Sequence, residues 1–325
     1  MSSTSTVTPK KQTLMHQTPD QILDKLFQLQ QPEVSADERY ALMLSMRKWP
    51  GSYQLTAPQI EKTVALARYL SDWPLLLRLH RLGLWQASAV EISLIEAQMG
   101  FYTRALKRLD GDQRQDAQAA RHNIQQCLDT LPLARGDLRC DEISLTPLAC
   151  HHVSDFSWQY ADPQIARLCN LPVFQSAQHW IGWLHVCQQE VERRLFAVIH
   201  DEYGFIGSVS ILVYEGIGFF YYWIGKDFQR SGYGPKAVRI LIRVARQNLK
   251  MNCCYAKVFS FNVSSSKAIR KLEFRSLRFR ALPPSEQEVF YYSGPVKSES
   301  VLYRDLASLL DKMNSGILLE PFSQK

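Results

Sequence analysis

Apolar positions recur at helical spacing from Thr18 to about Leu133, and almost nothing in that stretch alternates as a strand does. Start signals accompany the pattern. Thr18-Pro19-Asp20, the capping box Ser35-Ala36-Asp37-Glu38, and Asp72 ahead of Pro74 each put a side-chain acceptor in front of a helical run. Gly83, Gly100 and Gly111 punctuate it as helix ends or tight turns. At LPLARGD, Pro132 to Asp137, the character changes, and the alternating Ile143, Leu145 and Leu148 of DEISLTPLACH predict a strand. Two helices follow, Asp162 to Leu171 and Ser176 to Arg193, the second carrying Trp180, Trp183, Leu184, Cys187 and Val191 at helical spacing. Leu195–His200, Phe205–Tyr214 and Phe219–Ile224 read as antiparallel strands joined by DEYG and EGIG turns. Gly234 to Lys250 is an amphipathic helix with Val238, Leu241, Ile242, Ala245 and Leu249 inward. Its outward Arg239, Arg243, Arg246 and Lys250 are read as a solvated face. A strand, a helix and two more strands complete the order.

The pattern predicts an α+β chain: an all-α region, then a mixed, mostly antiparallel sheet flanked by helices. With 325 residues, 46% of them apolar, it has room for two self-sufficient cores. The expected division is a disordered tail over 1–16, a helical domain over 17–135, a sheet domain over 140–295, and a C-terminal helical extension or tail over 296–325. Aligning ALARYLSDWPLLLRL with the stretch 30 residues further on pairs Ala67 with Ala97, Leu76 with Leu106, Arg78 with Arg108 and Leu79 with Leu109. This echo resembles a degenerate TPR-like helix-turn-helix repeat; an irregular helical bundle is the other reading.

Charge and cysteine usage narrow the setting. The +7 excess, 38 Lys and Arg over 31 Asp and Glu, is scattered, so an anionic ligand such as a phosphorylated cofactor is expected ahead of nucleic acid. Seven cysteines without a C-x-x-C pair predict reduced thiols in a cytoplasmic protein. The polar N-terminus lacks an apolar secretory core, and no run approaches the roughly 18 apolar residues of a membrane span. No His/Cys cluster has ligand spacing, so no metal is expected.

Gln229-Arg230-Ser231-Gly232-Tyr233-Gly234 lies between a predicted strand and a predicted helix, where an anion would meet free N–H groups and the positive end of the helix dipole. Glycine at 232 and 234 lets backbone approach an anion, and Pro235 suits the first turn. Further on, Asn262, Ser265, Ile269, Lys271 and Phe274 follow at regular offsets. With these two segments the chain resembles the GNAT acetyltransferase superfamily, whose marks are Q/R-x-x-G-x-G/A and N-x-x-S-x-x-x-h-x-K-x-G-F, where h is apolar. Glu273 departs from the second, standing where glycine is usual. DFSWQYADPQIARLCNLPVFQSAQHWIGWL is similar to the opening helices of the RimJ/RimL branch, so the resemblance covers about 140–293.

The resemblance implies acetyl-CoA as cosubstrate. Its pyrophosphate would rest on the N–H groups of residues 230–234, beside Gln229. Its pantetheine arm would lie along backbone near Trp223 and Ile224, where two strands splay, and Asn262 would position the coenzyme or its loop. Ser265 is the candidate proton donor to the leaving sulfur, or the N-cap of the next helix. Other branches use a tyrosine where Ile269 stands. Glu286 is the candidate base, with Glu288 the alternative and Tyr221, Tyr222 and Glu215 as fallbacks. His151, His152 and His179 are read as capping or interface residues.

The expected activity is transfer of acetyl to an amine by direct attack on the thioester. A weak base suits an α-amine, which is about a tenth neutral at pH 7, better than a lysine, neutral at under about 0.1%. A protein or peptide acceptor, held by the helical region, therefore leads. A small amine, or a degenerate coenzyme-binding module in an interaction protein, are the alternatives. Nucleic acid is not expected, despite Lys257, Lys267, Arg270 and Lys271 near the basic helix face.

Overall fold

The computed structural model describes residues 54–322 apart from 70–71, 131–137, 161, 170 and 202, together with 18, 20, 21, 23, 24 and 46. The chain divides into two compact units, Met1–Ser88 and Ala89–Lys325. In the first, α1 spans Ala57–Tyr69 and α2 spans Trp73–Arg81. Asp72 caps α2, accepting the Leu75 N–H at 3.4 Å, as its place before Pro74 predicts. Thr18 and Gln21 form a reciprocal cap at the start of a helical turn. The box at Ser35–Glu38 lies outside the described residues.

The second unit opens with α3 (Ala89–Gln98), α4 (Tyr102–Arg108) and α5 (Gln115–Thr130). Gly83, Gly100 and Gly111 all take positive φ just past helix ends. The buried Glu96 carboxylate ties α3 to α4, receiving both Arg104 at 2.8 Å and Arg108 at 2.9 Å. These helices share a unit with the sheet. The Ser144 hydroxyl donates to the Met99 carbonyl at 3.2 Å, the Arg139 guanidinium lies 4.7 Å from the Phe101 ring centre, and Gly100 abuts Thr146 so closely that no Cβ fits. The predicted helical region is thus shared between the two units.

An eight-stranded sheet follows: β1 (Arg139–Cys140), β2 (Ile143–Pro147), β3 (Arg193–His200), β4 (Gly204–Tyr214), β5 (Ile217–Ile224), β6 (Cys253–Phe259), β7 (Arg275–Ser276) and β8 (Glu288–Ser293), ordered β1-β2-β3-β4-β5-β6-β8-β7. Every neighbouring pair is antiparallel except β5–β6. Glu215 and Gly216, with φ of 51° and 82°, make the two-residue turn between β4 and β5. Before β3 come α6 (Val153–Tyr160), α7 (Pro163–Cys169) and α8 (Ala177–Gln189). The hydrophobic pattern alone does not announce α6, although the segment likened to the family's opening helices begins inside it. The expected helix Ser176–Arg193 stops at Gln189 because Glu190 turns extended and Arg193 already pairs with Leu212.

Side chains alternate across β5, so the sheet has two distinct faces. Phe220, Tyr222 and Ile224 face α9 (Tyr233–Asn248), whose Val238, Leu241 and Ala245 are fully buried. Phe219 and Tyr221 face α11 (Glu299–Lys312), while Trp223 packs on Phe156 of α6. Arg239, Arg243, Arg246 and Lys250 are exposed. No described helix is long and apolar enough to cross a membrane.

Candidate active site

The glycine-bearing turn leads directly into α9. Gly232 is its N-cap at φ 83°, no described side chain caps the helix, and its first turn holds no acid. A Cβ at Gly232 would meet no described atom within 4 Å, so this side of the turn is open. These are the features that let first-turn N–H groups face an anion. Arg230 and Ser231 are exposed, Arg230 with φ 66°, and Gln229 ties the turn to β5 by donating from Nε2 to the Ile224 carbonyl at 2.9 Å. Gly234 also lets the helix pack on β5, for a Cβ there would sit 2.8 Å from Tyr222 Cε2. The Tyr233 hydroxyl turns to His200 Nε2, 3.3 Å away. Lys236 is held by Asp141 at 3.0 Å and Glu142 at 2.9 Å, which pushes its pKa up, chiefly through the Glu142 hydrogen bond.

Strands β5 and β6 pair only at Ile217, Gly218 and Phe219, opposite Cys253, Cys254 and Tyr255. Beyond Phe219 they part, leaving the β6-facing backbone edge of residues 220–224 outside that ladder. The gap is a cavity of about 200 Å³ lined from both faces of the sheet. Toward α9 and α10 (Val263–Arg270) it meets Tyr222, Asn262, Ser265 and Ile269. On the other face it meets Trp183, Arg193, Ser208, Tyr221, Trp223, Lys257 and Glu288.

Asn262 is the N-cap of α10, its Oδ1 accepting the Ser265 N–H at 3.1 Å, so Ser265 is not the cap. The Ser265 side chain faces the cavity beside Tyr222. Burial raises the Tyr222 pKa and the Ser265 bond partly offsets it. Helix α10 ends in a Schellman-type turn, Phe274 N–H to Ile269 O and Glu273 N–H to Arg270 O, with Glu273 at φ 64°. The residue that departs from the family pattern thus adopts the glycine-type conformation, and the turn survives.

Opposite lies Glu288, 7% exposed. Its Oε1 accepts from Lys257 Nζ at 2.6 Å, while Oε2 is buried without a partner among the described residues. Trp223 Nε1 has the same status. Burial, then the Glu288 charge, drive the Tyr221 pKa upward. Burial also pushes the cavity-lining Cys169 thiol up to about 12.

The structure therefore brings Trp223, Asn262 and Ser265 to one cavity. Ile224 is outside the lining, its carbonyl taken by Gln229, and Glu286 is exposed in the loop before β8, also outside the lining. Glu215 is a turn residue paired with Lys312 at 2.8 Å. His152 and His179 accept backbone N–H groups of Ala149 and Gln175; the His151 side chain lies outside the described residues. Sequence reasoning missed the Lys257–Glu288 pair and the lining residues Met313 and Ser315. Glu288, the alternative base of the sequence reading, alternates in phase with the inward Phe290 and Tyr292.

Residues 142–275 match the family described as acetyltransferase (GNAT) domain. That stretch of the chain is therefore a GNAT acetyltransferase domain. No curated protein matches the chain. Similar solved structures include Mycobacterium smegmatis RimJ in complex with CoA-disulfide, 14% identical, covering 50% of this chain and 88% of that one, TM-score 0.42. The ribosomal-protein-S5-alanine acetyltransferase of Vibrio fischeri is 14% identical over 49% of this chain and 96% of its own, TM-score 0.43. The microcin C7 self-immunity acetyltransferase MccE, in complex with acetyl-CoA and AMP, is 15% identical over 51% and 99%, TM-score 0.44.

Proposed function

We propose that this chain acetylates the α-amine of a protein or peptide, with acetyl-CoA as cosubstrate. The observation that carries the reading is the Glu288 Oε2, buried without a described partner in the cavity that Ser265 and Tyr222 also line. A buried acceptor left unsatisfied costs about 1–3 kcal/mol. An incoming ammonium would relieve that cost and leave its proton on the carboxylate side of the splay.

The residues present suit the coenzyme. The uncapped start of α9 and the open Gly232 would hold the pyrophosphate, and the edge of residues 220–223, outside the β5–β6 ladder, would hold the pantetheine arm. Acetyl-CoA, when bound, supplies the acyl thioester. Backbone N–H groups on that edge would polarise its carbonyl. The Ser265 hydroxyl would hand a proton to the departing sulfur, with Tyr222, kept protonated by its raised pKa, behind it. Glu288 would accept the proton of the amine, and Lys257 would hold its carboxylate in place. An α-amine, about a tenth neutral at pH 7, asks little of such a base. The helical region, 17–135, would carry the body of a protein acceptor.

Calorimetry with acetyl-CoA on wild type and Gly232→Glu, followed by CoA release with peptide and small-amine panels, tests the reading. Binding by wild type, loss in the variant, and release with peptides are expected. Release only with small amines replaces the peptide acceptor. Binding without release from any amine leaves a coenzyme-binding module and refutes the enzyme.

A further inference from the structure

The family match ends at Arg275, yet the cavity continues past it, for Met313 and Ser315 are part of its lining. Their placement is built into the sequence. Ser298 caps α11 by accepting the Val301 N–H, with Glu299 in the first turn and Lys312 in the last, both matched to the helix dipole. Leu302, Leu306, Leu309 and Leu310 recur at helical spacing and are buried with Phe290 and Tyr292, on the sheet face that carries Glu288.

Both ends of the segment are tied down. Lys297, held by Asp305 of the segment itself at 2.7 Å, donates to Cys253 Sγ of β6 at 3.7 Å, and Lys312 reaches Glu215 in the β4–β5 turn at 2.8 Å. Past the helix, the Ser315 hydroxyl donates to the Leu310 carbonyl at 2.9 Å, and Ile317 is buried. The Leu282 N–H then bonds the Leu318 carbonyl at 2.8 Å, and the Glu320 N–H the Arg280 carbonyl at 2.9 Å. Met313 is therefore held at the cavity by a segment clamped on both sides.

The cavity's other walls are stiffer. Trp223 and Trp183 belong to an aromatic cluster centred on Phe156, with ring centres 5.0 and 6.1 Å from it, and Lys257 and Glu288 lock each other. Met313 is half-buried and unbranched, with a side chain that adapts easily and can be exchanged without emptying the core. At about 200 Å³, the space is smaller than the roughly 300 Å³ at which ordinary small-molecule sites begin. The thioester end and the amine must share it.

We infer that the C-terminal segment, through Met313, forms the wall that sets how wide the amine-bearing end of the acceptor can be. The site takes a slim primary amine, and the bulk of the acceptor stays outside. The inference rests on the proposed acetyl transfer.

The test compares wild type, Met313→Ala and Met313→Trp on peptides whose first residue grows from glycine to leucine, with acetyl-CoA affinity measured beside kcat/KM. In Met313→Ala the leucine-to-glycine ratio of kcat/KM rises about tenfold or more, the discrimination typical of a methylene or so in an apolar pocket. In Met313→Trp that ratio falls, and acetyl-CoA affinity is unchanged in both. Ratios equal to wild type in both variants overturn the wall while leaving acetyl transfer standing. Wild type that binds acetyl-CoA and acetylates no amine refutes the acetyl-transfer reading and the wall with it.

Discussion

Replacing Lys257 with methionine keeps most of the stem and removes the charge that faces Glu288. The two side chains come from adjoining strands, meet at 2.6 Å, and are 9% and 5% exposed, so water does little to screen either. A buried pair broken from one side leaves an uncompensated charge, at a cost of about 3–5 kcal/mol. In a unit of this size each kcal/mol moves Tm by about 2–4 °C, so Lys257→Met should melt roughly 6–20 °C lower. Removing both charges, Lys257→Met with Glu288→Leu, should return stability to within about 1 kcal/mol of wild type or above it. Thermal and urea denaturation of wild type, the single and the double variant read the effect directly. A single variant losing less than about 1 kcal/mol, or a double variant no better than the single, would sink the description of this pair as buried and mutually dependent.

Three further outcomes follow from local geometry. Glu273→Gly should stabilise by about 1 kcal/mol, seen as a higher urea midpoint at unchanged slope, because φ 64° suits glycine and strains glutamate; a lower midpoint would contradict it. Gly234→Ala should destabilise by about 1–3 kcal/mol through its contact with Tyr222, whereas neutrality would mean that helix and strand sit further apart. At pH 8 iodoacetamide should label the exposed Cys150 well before Cys169 or Cys254. Burial raises both of the latter pKa values, Cys169 to about 12, so they stay thiols until far higher pH; equal rates would refute this.

Legibility varied with how local the cause was. Strands β3 to β5 and helix α9 follow from short-range alternation and helical period, and the glycine-bearing turn between them from its position. Periodicity alone does not reveal helix α6: it is short, at Val153–Tyr160, and its aromatic residues answer to a cluster assembled from α8, β4 and β5. That Gly234 also makes room for Tyr222 is invisible in the sequence, because the two meet only across the helix–sheet contact. Of two glutamates in one short stretch, only Glu288 lies on a strand and turns inward, a distinction that depends on where β8 begins. Neither the grouping of α3–α5 with the sheet nor the arrival of Met313 at the cavity has a local signature, since each depends on contacts across long sequence separations.

Glu288→Gln tests the central claim most directly. The substitution keeps the size of the side chain and removes the carboxylate that would take the amine's proton. Turnover of an α-amine peptide should fall about 100-fold or more, while calorimetry gives wild-type affinity for acetyl-CoA. Wild-type turnover in this variant would contradict the assignment of the splayed-strand cavity as an acetyl-transfer centre built around Glu288.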